Sequence, residues 1–72
     1  MSAFKIEPDD EFAGQFLVVE LSEDYDRNGT VVGYATGPEA RDVADEAIGI
    51  MDKTGHQPTG LDGYTVAAGE DF

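Results

Sequence analysis

A net charge of −12 on 72 residues, from sixteen Asp and Glu against four Lys and Arg, argues against direct binding to nucleic acid or to an anionic membrane, whose phosphates it would repel. The absence of cysteine excludes a disulfide staple and a thiolate zinc site. With 40% apolar residues the chain is too hydrophobic for intrinsic disorder, so one folded domain over residues 1–72 is expected, with a thin core because so short a chain buries only about 60% of its unfolded surface.

From the amino terminus, Ala3 to Glu7 alternates apolar and charged residues, with Phe4 and Ile6 on one side and Lys5 and Glu7 on the other, which predicts a short strand. Pro8 ends it, and Asp9, Asp10 and Glu11 form a loop expected to be solvated. No basic region followed by a long apolar run marks an export signal, the longest apolar block being Phe16 to Val19, so a cytoplasmic location is expected. Gln15 to Leu21 is rich in β-branched and aromatic residues and predicts the second strand. Leu17, Val19 and Leu21 would share one face and Phe16 and Val18 the other, so both faces should be at least partly covered.

Asn28-Gly29 is a hairpin signal, because both residues tolerate positive φ, and it predicts that the next run, Thr30 to Thr36, pairs antiparallel with the second strand. Thr36-Gly37-Pro38-Glu39 reads as a capping box with proline in the first turn of a helix, Pro38 to Thr54, and Gly55 supplies its stop. Ala40, Val43, Ala44, Ala47, Ile48, Ile50 and Met51 recur at spacings of three and four, which makes one apolar stripe to lie on the sheet. His56 to Gly60, with Pro58, reads as a return loop, Asp62-Gly63 as a turn, and Tyr64 to Val66 as a last strand before a tail, Gly69 to Phe72, expected to fray. The predicted class is α+β: a small antiparallel sheet of three to four strands with one helix on one face, in the order β-β-β-α-β.

Catalytic chemistry finds little support. Ser2, Ser22 and His56 are the only serines and the only histidine, and His56 is placed where a cation ordinarily stabilises a helix C-terminus. Gly29, Gly33 and Gly37 lack the lysine and the strand-to-helix setting of a phosphate loop. Asp24-Tyr25-Asp26-Arg27-Asn28-Gly29 matches the first half of a calcium loop, and Val31 fits its eighth position, but the twelfth is Ala35 where a bidentate glutamate belongs. No enzyme activity, cofactor or metal is expected.

The charge pattern carries the functional signal. Asp42, Asp45 and Glu46 fall on the helix side away from the apolar stripe, and Asp42 faces both of the others at spacings that cost a few tenths of a kcal/mol each. Arg41 to Asp45 should relieve this in part. Glu39 is accounted for by the helix dipole, but the middle of the ridge is not, and acidic residues recur at 7–11, 20–26 and 70–71. Spaced carboxylates on a fixed scaffold can stand in for nucleic-acid phosphates before lysines and arginines. The expected interface is the ridge Asp42, Asp45 and Glu46 together with the hairpin tip Glu23, Asp24, Tyr25 and Asp26, the tyrosine adding an amphipathic anchor. The expected partner is a basic, nucleic-acid-binding protein, with this chain a monomer.

With its small size, its lack of cysteine, a helix such as Pro38 to Thr54 on a small sheet, and dense carboxylates including Asp42, Asp45 and Glu46, the chain resembles in general character the acidic inhibitors of phages, notably anti-CRISPR proteins and other DNA mimics. That resemblance implies occlusion of a lysine- and arginine-lined channel in a CRISPR effector. Two other readings share the composition. In a halophilic domain the acidity would serve solvation alone, and an acidic antitoxin-like module would cover the cleft of a basic nuclease.

Overall fold

A computed structural model describes residues 3–21 and 29–69. The acidic tip from Ser22 to Asn28 and the tail from Glu70 lie outside those residues. Four strands, β1 (Phe4–Pro8), β2 (Phe16–Glu20), β3 (Thr30–Ala35) and β4 (Tyr64–Val66), form one antiparallel sheet in chain order, and helix α1 (Ala40–Thr54) joins β3 to β4. This is the α+β arrangement that the periodicities predict.

The helix packs on the face of the sheet that carries Val18, Val32 and Ala35, and meets it with Ala40, Ala44, Ala47, Ile48 and Met51. Three alanines in that row let the helix axis come close to the strands. Phe4, Ile6, Phe16, Val43, Leu61 and Tyr64 close the perimeter while staying partly exposed. The largest side chains that are fully enclosed are the valines Val18, Val19 and Val32, so the core is as thin as the chain length implies.

The helix begins two residues later than the sequence predicts, and Glu39 occupies the N-cap with no side-chain capping bond. The cause lies outside the motif. Thr36 donates its backbone N–H to the Gly63 carbonyl at 2.8 Å, which ties it to the turn before β4. Gly37 then takes φ 102°, and Ala40 donates back to the Gly37 carbonyl at 3.2 Å. Pro38 therefore occupies the second position of a tight turn, where its fixed φ is equally suited. The other end matches expectation: Gly55 is left-handed at φ 77° and donates to the Met51 carbonyl.

A feature that the sequence does not announce fastens β4 to β3. Val18 pairs with Gly33 but Val19 pairs with Val31, so Val32 is an extra residue, a β-bulge, whose side chain joins the core. Its carbonyl accepts two bonds, from the Ala67 N–H at 3.0 Å and from Gln57 Nε2 at 2.9 Å. Gln57, in what the sequence shows only as a polar loop, is the one buried polar side chain among the described residues. Its Oε1 in turn accepts the Tyr64 hydroxyl at 2.8 Å. The Tyr64 ring lies across Gly33, where any Cβ would collide with the phenol.

Gly33→Ala should accordingly lower stability by about 1–3 kcal/mol, because the ring is held by Gln57 and has little freedom to withdraw. Gly49, exposed and with open space at its Cβ position, should behave in the opposite way, Gly49→Ala adding about 0.5–1 kcal/mol through helix propensity. Urea midpoints of the two variants on either side of the wild type check this. A Gly33→Ala protein as stable as the wild type would rule out the close approach.

Candidate partner-binding surface

Of the seven residues that the sequence nominates, Asp42, Asp45 and Glu46 are exposed side by side on α1, and Glu23, Asp24, Tyr25 and Asp26 lie outside the described residues. The ridge follows from the helix period: with Ala40, Ala44, Ala47 and Met51 turned to the sheet, positions 42, 45, 46 and 49 must point away. Glu39 and Asp52 extend it at either end, also exposed.

The Arg41–Asp45 pair that should ease the repulsion is not formed, and among the described residues the ion pair present is Lys5 Nζ to Glu7 Oε1, at 2.8 Å, on the far side of the sheet. Arg41 instead lines a cleft of about 310 Å³ with Gly14, Phe16, Pro38, Glu39 and Asp42, between the β1–β2 loop and the helix entry. Glu39, Asp42 and Glu46 also share a neighbouring hollow of about 220 Å³ with Val43. Three carboxylates one turn apart thus border a single depression, with no partner drawn from the described residues.

The β1–β2 loop departs from the solvated acidic loop that was expected. Asp9 is half-buried and uses both carboxylate oxygens locally, accepting the Glu11 N–H at Oδ1 and Gln15 Nε2 at Oδ2, each at 2.8 Å. Its own N–H donates to the Gln15 carbonyl at 2.9 Å, and Gln15 donates back to Phe12 at 3.1 Å. Asp10 and Glu11 remain exposed. So does Phe12, 59% exposed, a large apolar side chain among acids that sequence reading passed over because it belongs to no periodic segment.

His56 is exposed just past the helix and donates its N–H to Thr54 Oγ1 at 3.1 Å. No group of three or more His, Cys, Asp or Glu among them could hold a metal ion. The half calcium motif falls mostly outside the described residues, and its twelfth position, Ala35, is fully buried in β3. No helix of the described chain is long and apolar enough to cross a membrane. Compared with known proteins, the chain matches no family model, no curated protein and no solved structure.

One ionisable group is clearly perturbed: burial raises the Tyr64 phenol above its ordinary 10.0, and the bond to Gln57 offsets this only in part. A folded-state pKa above the unfolded one means that the neutral phenol stabilises the fold fully below pH 10.0, and that this contribution is lost as pH rises through the folded value. Stability of the wild type should therefore fall more steeply above that pH than stability of Tyr64→Phe, as denaturant midpoints measured along an alkaline series would reveal.

The ridge itself should be removable with profit to the fold. Glu46→Lys turns a repulsion with Asp42 into an attraction at the favourable spacing of four, and should add about 0.5 kcal/mol in dilute buffer. The gain should shrink in high salt. Thermal unfolding at two ionic strengths tests both statements.

Proposed function

We propose that this chain is a non-enzymatic acidic binding protein that occupies a lysine- and arginine-lined, nucleic-acid-binding surface of another protein as a nucleic-acid mimic. The observation that carries the reading is the group Asp42, Asp45 and Glu46, displayed on a fifteen-residue helix with Glu39 at its N-cap, all without ion-pair partners among the described residues. A helix fixes the spacing of its carboxylates, as a duplex fixes that of its phosphates. Basic side chains can then engage them by charge-assisted bonds without first ordering them. The same charge steers encounter, so association should be fast and strongly dependent on salt. The general resemblance to acidic phage inhibitors makes a CRISPR effector the first target to try.

A halophilic domain is the rival reading, favoured by one observation: exposed acids are not confined to the ridge, since Asp10, Glu11, Glu20 and Asp62 are exposed elsewhere. Salt separates the two. A mimic folds in dilute buffer and releases its partner as salt rises, whereas a halophilic domain unfolds in dilute buffer through self-repulsion.

The decisive experiment measures folding by circular dichroism at low ionic strength and, in parallel, displacement of labelled target DNA from a guide-loaded CRISPR effector. The wild type should fold and displace the DNA; the triple variant Asp42→Lys, Asp45→Lys, Glu46→Lys should fold and fail to displace it. An ordered wild-type chain that displaces nothing from that effector or from other nucleic-acid-binding proteins would refute mimicry.

A further inference from the structure

The sheet has two faces and the chain has one helix. Residues that alternate with the core positions of β2 and β3 point to the other side: Leu17 and Val19 on β2, Val31 and Tyr34 on β3, the pairs Val19–Val31 and Leu17–Tyr34 lying directly opposite each other. Leu21 continues the row, since its N–H donates to the Ala3 carbonyl at 2.7 Å and so keeps the strand pairing for one residue beyond β2. An antiparallel sheet that faces water ordinarily carries polar residues at such positions. Here Leu21 and Val31 are each 39% exposed and Val19, between them, is 1% exposed. None of these residues belongs to the cluster under the helix.

The structure assigns this outer face, Leu17, Leu21, Val31 and Tyr34 around Val19, as the seat for apolar side chains of a basic protein partner. The assignment takes the partner's charge from the mimic reading above and adds a place and a second kind of contact. Charge selects the occupant. A second copy would bring another net charge of −12 against the first, whereas a cationic protein gains from the approach. The local balance does not oppose it, because Lys5, the cation that the described residues place on this face, is already paired with Glu7. An apolar centre with a charged rim is the usual anatomy of a protein interface. Carboxylates alone would bind any polycation, and the apolar row supplies the discrimination they lack.

The test uses the full chain, isotopically labelled, and two synthetic peptides of equal charge in which lysine alternates with leucine or with serine. At about 0.15 M ionic strength the lysine–leucine peptide should bind about tenfold more tightly, and amide shifts should centre on Val19, Leu21, Val31 and Tyr34. That tenfold advantage should vanish in Leu21→Ser/Val31→Thr, which alters only exposed positions and should keep the wild-type melting temperature. Equal affinities for the two peptides, or shifts confined to Asp42, Asp45 and Glu46, would overturn the outer-face site while leaving the mimic reading intact. A wild-type chain that binds neither peptide removes both. Dimerisation of the free wild-type chain in sedimentation, lost in the double variant, would give the face to a second copy and overturn the assignment.

Discussion

Self-repulsion sets the terms for this fold. One uncompensated negative charge for every six residues opposes compaction, and the core that must resist it encloses no side chain larger than valine completely. Hydrophobic burial of that extent leaves a small margin once chain entropy is subtracted. The chain meets the constraint by close approach rather than by bulk: alanines at the helix–sheet contact, a glycine under the Tyr64 ring, and a buried amide with partners for both ends of its side chain.

The clasp around Val32 shows how this works. A bulge would ordinarily leave a carbonyl underused, and here Gln57 and Ala67 both donate to it. Because Gln57 also accepts from Tyr64, the bulge, the return loop and the last strand form one connected polar network with no orphaned buried side-chain atom among the described residues. The neutral phenol suits that network. The acidic groups stay outside it, on the helix ridge and in the exposed part of the β1–β2 loop, so the charged surface can vary without disturbing the interior.

The fold was legible wherever a local rule decided the outcome. Period-two alternation at Phe4 to Glu7, the apolar stripe from Ala40 to Met51 and the stop at Gly55 each act within a few residues. Long-range contacts decided the rest. Thr36 does not cap the helix: its amide goes to Gly63, far along the chain, where a capping box would give it to Glu39, and the Gly37–Ala40 turn separates it from the first helical residue. Gln57 gave no sign of burial because its acceptor, 25 residues away, becomes available only through a bulge that strand pairing alone reveals. Of the candidate surface, the exposure of Asp42, Asp45 and Glu46 followed from the helix period, whereas the unpaired state of Arg41 and Asp45 and the anchoring of the loop by Asp9 depend on rotamers that a spacing cannot specify.

The unmatched residue in β3 also keeps the two sides of the sheet distinct. Upstream of it, Val31 faces outward and Thr30 inward; downstream, Gly33 and Ala35 face the helix. Were the strand to pair without the bulge, Val32 would meet Val19 and Val31 would meet Glu20, a one-step phase change that sends the preceding half-strand's side chains through to opposite surfaces. The single surplus amino acid thus works as a phase marker, letting one short strand serve two different environments along its length.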